Sequence, residues 1–202
     1  MSGHGAGGPG DRDGAPDEGV ASGRGFGDFV VRDATLEDAA ACAVIYAPYV
    51  TETAVSFEAV PPSAGEMAGR MAASLANHTW LVGETGGEVV GYAYGGPFRT
   101  REAYRWSCET SIYLRVGLRR TGLGGLLYTE LLDRLAARGY RRVVAGITLP
   151  NDASVGLHRA MGFEPAGVYR GVGFKHGRWH DVAQFQRSLG PHDEDAPPAP
   201  LR

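Results

Sequence analysis

The sequence predicts a single mixed α/β domain in which helices flank a central sheet. Strand-like and helix-like segments alternate along residues 28–189, an order typical of mixed α/β folds. The chain has 202 residues, the length of one domain of ordinary size. Hydrophobic residues account for 43% and charged residues for 21%, which is close to the globular average and enough for a sizeable core.

The first half of the predicted domain carries three strands and two helices. Each helix start has a hydroxyl residue followed three positions later by a carboxylate, the pattern of a capping box: Thr35 with Asp38, and Ser63 with Glu66. Apolar residues then recur at helical spacing after both starts. The predicted strands are residues 29–32, 80–84 and 88–94, the last two joined by a Gly-Gly turn typical of a hairpin.

The second half of the predicted domain opens on residues 105–115, where side chains alternate as in a half-buried strand. A Gly-rich turn follows, and then a helix with leucines four residues apart that stops at Gly139. The remaining predicted elements are a buried strand at 143–147, a short helix from about Ala153 to Gly162, and two strands around a turn at 176–177.

Both ends of the chain differ in composition from the predicted domain. Residues 1–27 are mostly Gly, Pro, Asp and Ala with almost nothing large and apolar, and residues 190–202 are similar. Such segments bury too little surface to offset the entropy lost on ordering. We therefore predict a disordered extension at 1–27, one domain at 28–189 and a disordered tail at 190–202.

Charge, hydropathy and cysteine content exclude several classes of protein. The net charge of −3 disfavours a dedicated nucleic-acid binder, and no apolar run approaches the length of a membrane span. The N-terminal residues lack the basic start and apolar stretch of a signal peptide. Cys42 and Cys108 lie far apart, which excludes a disulfide framework and a Cys-rich zinc site. We expect a cytoplasmic protein with no nucleic-acid or membrane partner and no metal.

The Gly-rich turn is a candidate anion site. Residues 119–125 read RRTGLGG and stand between a predicted strand and a predicted helix. The N–H groups of a first helical turn have no intrahelical partner and favour negative charge, and glycines let the backbone approach a ligand closely. The turn is neither a Walker A loop nor GxGxxG. The alternative is a tight connection that uses glycine only for its backbone freedom.

Sequence phrases around this turn resemble the GNAT acetyltransferase superfamily. Arg119-x-x-Gly122-x-Gly124 resembles its pyrophosphate-binding motif, and residues 151–154 followed by 161–163 resemble its second acetyl-CoA element. Longer phrases narrow the resemblance to the phosphinothricin N-acetyltransferase family: residues 94–98, 103–106, 121–124, 149–152 and 173–182. The resemblance covers about residues 28–189, the whole predicted domain.

This resemblance implies a GNAT-type acyltransferase fold, acetyl-CoA as cosubstrate and a homodimer. The implied reaction moves an acetyl group to the amine of phosphinothricin, a glutamate-like amino acid, and confers resistance. Backbone N–H groups near 111–113 are the implied donors to the oxyanion. The implied acetyl-CoA contacts lie on a strand, on the Gly-rich turn and on a later helix start: Ile112, Tyr113, Leu114, Arg119, Arg120, Thr121, Gly122, Leu123, Gly124, Gly125, Asn151 and Ser154.

The resemblance implies two catalytic residues, Glu109 and His158. The acceptor amine is mostly an ammonium at neutral pH, so a base must remove a proton before the nitrogen can attack. Glu109 falls at the position of the family's catalytic carboxylate, and alternation puts Cys108 on the other strand face, which favours direct attack over an acyl-cysteine. His158 is the implied relay of a proton to the thiolate or a helper of Glu109. The alternatives are a solvated glutamate and an ordinary helix histidine.

The acceptor contacts implied by the resemblance are Phe57, Arg99, Arg101 and Tyr104. Arginines suit the two anionic groups of a glutamate-like substrate, Tyr104 can donate a hydrogen bond, and Phe57 supplies an apolar wall. The alternative for the arginines is a solvated basic loop. Two other functions stay open: acetylation of methionine sulfoximine, methionine sulfone or another small amino acid, and non-catalytic binding of acetyl-CoA by a sensor.

Overall fold

Strands and helices alternate along the computed structural model, which describes residues 25–26, 28–118 and 120–190. The strands are β1 (Gly25–Phe26), β2 (Phe29–Asp33), β3 (Trp80–Thr85), β4 (Glu88–Pro97), β5 (Ser107–Leu114), β6 (Arg142–Thr148), β7 (Glu164–Lys175) and β8 (Arg178–Ser188). The helices are α1 (Ala39–Thr51), α2 (Ala64–Asn77), α3 (Leu123–Ala137) and α4 (Asp152–Ala160). The strands form one mixed sheet in the order β1-β2-β3-β4-β5-β6-β8-β7, which confirms the predicted fold class.

The described chain adds two features to the predicted order of elements. A two-residue β1 pairs with β2, with Gly25 opposite Val30, and it falls inside the segment predicted to be disordered. Residues 1–24, 27 and 191–202 lie outside the described residues, so the predicted boundaries of the extension and tail stay predictions. Further along, β5 begins two residues later than predicted, because a short 3-10 helix (Glu102–Tyr104) and a turn precede it.

The predicted helix starts are confirmed. Thr35 begins the short 3-10 helix (Leu36–Asp38) that leads into α1, and its backbone N–H donates to Oδ2 of Asp38 at 2.8 Å. Ser63 begins α2, where the Glu66 N–H donates to Ser63 Oγ at 3.2 Å and the Ser63 N–H donates to Glu66 Oε2 at 2.8 Å. Both boxes satisfy backbone donors that a helix start leaves without an intrahelical partner.

Two apolar layers cover the two faces of the sheet. On one face the predicted leucine stripe of α3, Leu127, Leu131 and Leu135, is fully buried in a cluster that also includes Cys108. On the other face α1 and α2 pack in a cluster that includes Trp80. Successive strand residues point to opposite faces, so Glu109 faces the α1–α2 side whereas Cys108 belongs to the α3 side. In the described part of the chain, no helix is long and apolar enough to cross a membrane.

The sheet opens at its centre, where the two parallel strands β5 and β6 meet. Their pairing comprises Ser107 with Arg142, Cys108 with Val143, and Glu109 with Val144. Beyond Glu109 the described residues of β5 continue to pair with β4 but not with β6. A gap therefore begins beside Glu109 and faces the start of α4.

Candidate active site

A cleft of about 60 Å³ occupies the gap between β5 and β6. β5 and β6 form its two sides, and side chains from α3, α4 and the segment after α1 complete its lining. Residues with polar side chains that line it include Thr110, Ser111, Tyr128, Asn151, Ser154 and His158. The cleft thus gathers residues that are far apart in the sequence, several of which were predicted to act in catalysis or cofactor binding.

Backbone donors of β5 face this cleft. The N–H of Arg115 donates to the Val90 carbonyl on β4 at 2.8 Å. N–H directions alternate along an antiparallel strand, so the N–H groups of Ile112 and Leu114 point away from β4 and toward the cleft. The Leu114 carbonyl on the same side accepts a hydrogen bond from the Tyr49 hydroxyl at 2.6 Å. Ile112 therefore presents a backbone donor inside the cleft, within the stretch that the sequence predicts for the oxyanion.

Glu109 stands where the gap between the strands begins. Its carboxylate lies beside Gly146 of β6, where a Cβ would be 3.7 Å from Glu109 Oε1, an ordinary van der Waals contact. Desolvation by the surrounding protein raises the pKa of Glu109, and the positive charge of Arg99 acts against that rise. Glu109 is exposed at the edge of the cleft, so its desolvation is partial. A carboxylate with a raised pKa is a stronger base than one with an ordinary pKa.

His158 is a buried residue of α4 and is 3% exposed. Its Nδ1 lies 2.7 Å from the Ser154 carbonyl, which can only accept, so Nδ1 carries the proton. Its Nε2 lies 2.7 Å from the hydroxyl of Tyr128, which then donates to it. Burial lowers the pKa of His158 although the hydrogen bond to Ser154 opposes the shift, so the ring is neutral at pH 7. The imidazole thus lines the cleft together with Tyr128, the residue to which its Nε2 is hydrogen-bonded.

Tyr128 was missed by the sequence analysis. It follows Leu127 on α3 and is fully buried, and its hydroxyl lies 3.4 Å from Thr110 Oγ1 as well as 2.7 Å from His158. A tyrosine within an apolar helix stripe was the available signal, because a buried hydroxyl requires a partner. Val55, which also lines the cleft, follows α1 and carried no comparable signal.

The Gly-rich turn has the conformation of an open helix start. Gly122 occupies the N-cap position of α3 with φ of 85°, a left-handed conformation, and no side chain caps the helix. The hydroxyl of Thr121 is buried and has no hydrogen-bond partner among the described residues. Uncapped N–H groups and an unpaired hydroxyl fit a bound phosphate group. Arg119 lies outside the described residues, whereas Arg120 is described and exposed.

The other predicted cofactor residues have mixed environments. Gly124 is buried, and a Cβ there would lie 3.3 Å from Leu157, so this glycine lets α3 approach α4. Asn151 is the N-cap of α4, where its Oδ1 accepts from the Ser154 N–H at 3.1 Å. Tyr113 packs its ring on Tyr46 at 4.8 Å, in the layer below α1. Asn151 and Tyr113 therefore have structural partners in addition to their places at the cleft.

The described contacts do not join the predicted acceptor residues into one cluster, and Arg99 is the member whose charge acts on Glu109. Arg99 stacks over the Phe98 ring at 5.0 Å and is close enough for its charge to affect Glu109. Tyr104 packs edge-on against the same ring at 5.6 Å. Arg101 is exposed at the start of the short 3-10 helix. Phe57 lies on the segment between α1 and α2, and its ring packs against Gly173 of β7 and His180 of β8.

No group of three or more His, Cys, Asp or Glu that could hold a metal ion occurs within the described ranges. Both cysteines are buried, and burial raises the pKa of the Cys108 thiol to about 12. A thiol with such a pKa is protonated at pH 7 and is a poor nucleophile. This environment agrees with direct attack by the acceptor amine.

Residues 31–183 match the acetyltransferase (GNAT) domain family. A phosphinothricin N-acetyltransferase from Streptomyces viridochromogenes is 41% identical over 172 residues, which cover 85% of this chain and 92% of the relative. The chain belongs to the GNAT acetyltransferase family. A GNAT phosphinothricin acetyltransferase from Sinorhizobium meliloti, solved in complex with acetyl-CoA, has a TM-score of 0.82 at 39% identity and covers 86% of this chain and 95% of its own.

A third relative acts on different amino acids. The L-methionine sulfoximine/L-methionine sulfone acetyltransferase of Pseudomonas paraeruginosa is 37% identical over 163 residues, which cover 80% of this GNAT chain and 95% of the relative. The family assignment is thus common to both groups of relatives, whereas their named acceptors differ in the side chain.

Proposed function

We propose that this GNAT enzyme transfers the acetyl group of acetyl-CoA to the amine of phosphinothricin and thereby confers resistance. The observation that carries the proposal is the position of Glu109, a carboxylate of raised pKa, at the point where β5 and β6 part. A base and a backbone donor, the N–H of Ile112, then lie at the two ends of one short stretch of β5. The 41% sequence identity to a phosphinothricin N-acetyltransferase supports the choice of acceptor.

The proposed reaction assigns each step to a group of this chain. Glu109 takes a proton from the acceptor ammonium, which frees the nitrogen lone pair for attack on the thioester carbon. The N–H of Ile112 donates to the oxygen that becomes negative during attack. As the C–S bond breaks, the Tyr128 hydroxyl leaves its hydrogen bond to His158 Nε2 and gives its proton to the thiolate, and the second proton that leaves the acceptor nitrogen restores the hydroxyl. Acetyl-CoA supplies the activated acyl group.

The residues at the start of α3 fit the diphosphate of acetyl-CoA. The unpaired hydroxyl of Thr121 and the N–H groups of Leu123, Gly124 and Gly125 would hold its oxygens, and Arg120 would add positive charge. Asn151 and Ser154 would contact the cosubstrate from the start of α4. The backbone of 112–114 would run beside its acyl arm.

The acceptor is proposed to enter from the side of Arg99. This arginine, with Arg101, would bind the carboxylate and the phosphinate, each of which matches the donor fork of a guanidinium. Tyr104 would donate a further hydrogen bond, and Phe57 would form an apolar wall. A second candidate acceptor, methionine sulfoximine or methionine sulfone, is favoured by the relative from Pseudomonas paraeruginosa.

A homodimer in the cytoplasm is the proposed state of the protein. The β7–β8 hairpin lies at one edge of the sheet and exposes large apolar side chains, with Val172 55%, Phe174 62% and Trp179 66% accessible. An apolar patch beside an edge strand suits an interface with a second copy. Light scattering after size exclusion tests this, and Trp179→Ser should shift the mass toward that of a monomer.

The decisive experiment measures the release of CoA thiol from acetyl-CoA with L-phosphinothricin, methionine sulfoximine and methionine sulfone as acceptors. We expect the largest kcat/KM with phosphinothricin and loss of turnover in Glu109→Gln. A preference for the sulfoximine or the sulfone would show that phosphinothricin is not the preferred acceptor, and the proposed mechanism would be unaffected. Tight acetyl-CoA binding without turnover on a broad panel of amines would instead support a sensor.

A further inference from the structure

The ammonium group of Lys175 is surrounded by three backbone carbonyls from a distant segment. Nζ donates to the carbonyl oxygens of Val50 at 2.6 Å, Ser56 at 2.7 Å and Glu58 at 2.9 Å. An ammonium has three N–H donors and no acceptor, so these oxygens use its full capacity. Lys175 is the last residue of β7, whereas its acceptors lie in the last turn of α1 (Val50) and on the stretch that joins α1 to α2 (Ser56 and Glu58).

Lys175 is also the only lysine of the chain. The sequence holds 20 Lys and Arg in total, and every one of the others is arginine. A guanidinium is planar and spreads its donors in a fork, which does not match three carbonyls that converge on one point. The site therefore has the geometry of an ammonium site in a chain that otherwise uses arginine.

The segment held by Lys175 borders the cleft. We call residues 50–58 the wall segment. It carries Val55, which lines the cleft, and Phe57, which the proposed function places at the acceptor. Side-chain contacts hold the same segment from the helices, since the Tyr46 hydroxyl lies 2.7 Å from Ser56 Oγ and 2.9 Å from Glu58 Oε1.

The β7–β8 hairpin, which carries Lys175, also packs against the ring of Phe57. A Cβ at Gly173 would lie 2.2 Å from Cε2 and 2.3 Å from Cζ of Phe57, so the ring occupies the space that a side chain at 173 would need. His176 adds a contact between its Nε2 and the Thr53 carbonyl at 3.2 Å. The position of the Phe57 ring therefore depends on residues of β7 that do not line the cleft.

We propose that Lys175 is a positioning residue for the acceptor site: its ammonium fixes the wall segment, and Gly173 sets how far the Phe57 ring lies from the cleft. This inference rests on the proposed function, because Phe57 matters only if an amino acid binds beside it. The effect falls on the acceptor and not on acetyl-CoA, whose proposed contacts lie on β5, α3 and α4.

Steady-state kinetics test the proposal with three variants. Lys175→Met should raise the KM for the acceptor about tenfold, the scale of one or two lost pocket contacts, and leave the KM for acetyl-CoA within about twofold. Lys175→Arg keeps the positive charge, and the KM for the acceptor should nevertheless rise as it does in Lys175→Met. Arg159→Met, at an exposed position near the end of α4, is the charge-matched control and should behave like the wild type.

Gly173→Ala keeps the test valid if Lys175→Met does not fold. The added methyl group displaces the Phe57 ring while the ammonium stays, so the acceptor KM should rise in the same direction. In Phe57→Ala the methyl group has room, and Gly173→Ala should then have little further effect. An unchanged acceptor KM in both Gly173→Ala and Lys175→Arg would overturn the proposal.

A structural readout separates this inference from the proposed acceptor. Hydrogen exchange of the backbone amides in the wall segment should become faster in Lys175→Met and in Lys175→Arg, and stay unchanged in Arg159→Met. That result does not depend on any acceptor. If the wild type acetylates no amino acid of the panel while amide exchange in the lysine variants becomes faster as expected, the proposed function fails. The inference that Lys175 fixes the wall segment is then still supported. Unchanged amide exchange in both lysine variants would refute the inference that Lys175 fixes the wall segment, independently of the activity measured.

Discussion

The hydroxyl of Tyr128 lies 2.7 Å from Nε2 of His158, among the residues that line the cleft between β5 and β6. Because Nδ1 of the same ring donates to the Ser154 carbonyl, Nε2 has no proton of its own and accepts the one on Tyr128. The histidine therefore orients the tyrosine hydroxyl, whose proton becomes available to the site when this hydrogen bond breaks.

Tyr128→Phe should lower kcat by about 100-fold or more, the lower end of the range for loss of a general acid. The KM for acetyl-CoA should change little, because the hydroxyl acts in the chemical step. Tyr140→Phe is the matched control, since its hydroxyl donates to the Asn77 carbonyl outside the cleft. An unchanged kcat in Tyr128→Phe, measured by thiol release, would remove this residue from the mechanism.

The ionisation of Glu109 should determine how kcat/KM depends on pH on the acid side of the pH profile. A base works only when deprotonated, so kcat/KM should rise with pH through a pKa above the ordinary range of glutamate, as the desolvation of Glu109 requires. Glu109→Gln should lose about 100-fold or more in kcat and should lose this dependence on pH. Glu37→Gln, at an exposed position, should keep both. A Glu109→Gln enzyme with the wild-type pH profile would contradict the base assignment.

The conformation of the Gly-rich turn should control acetyl-CoA affinity. Gly122 has φ of 85°, so Gly122→Ala strains or rebuilds the turn at a cost of about 1–2 kcal/mol. Calorimetric titration with acetyl-CoA should show a dissociation constant raised about tenfold. For Gly125→Ala, where a Cβ meets nothing within 4 Å, thermal stability should be kept. Equal affinity in Gly122→Ala and the wild type would mean that this turn does not hold the diphosphate.

An ion pair at the start of α1 should make stability depend on pH. Arg32 donates to both oxygens of Asp38, at 2.8 and 2.7 Å. Desolvation alone would raise the pKa of Asp38, but hydrogen bonds from Arg32 and Thr35 outweigh it and hold that pKa below its ordinary range. The pair therefore stabilises the fold above the unfolded-state pKa, and this contribution is lost as pH falls through the lower folded-state pKa.

Arg32→Met should accordingly lower the free energy of unfolding by about 2 kcal/mol at pH 7, the scale for charged hydrogen bonds. Urea denaturation at several pH values measures the difference, which should shrink below pH of about 4, where the carboxyl is neutral in the unfolded chain. A difference that stays constant across this range would show that packing of the Arg32 stem, and not its charge, is lost.

Local patterns in the sequence account for most of the fold. The capping pair Thr35–Asp38 and the leucines of α3 act within a few residues, so spacing alone reveals them. The start of β5 was misplaced, because the alternation of 105–115 continues through a turn whose conformation depends on the preceding 3-10 helix. Period-two spacing shows which residues alternate and not where the backbone becomes extended.

The candidate site was predictable in part. Glu109 and His158 stand in recognisable phrases, and the structure brings both to the gap between β5 and β6. The partners of Lys175 lie 117 to 125 residues away, and the contact of Tyr128 with His158 spans 30 residues. Contacts of this kind depend on the packing of separate elements, and no local spacing encodes them.

The absence of a side chain at Gly173 has a consequence for redesign of the enzyme. Where Phe57 forms the boundary of the acceptor site, the depth of that site is adjusted from a strand on its far side. A library that varies only cleft-lining residues would omit this position. On the proposed placement of Phe57, small substitutions at Gly173 would change the substrate size that the site accepts without placing any new atom in contact with the substrate.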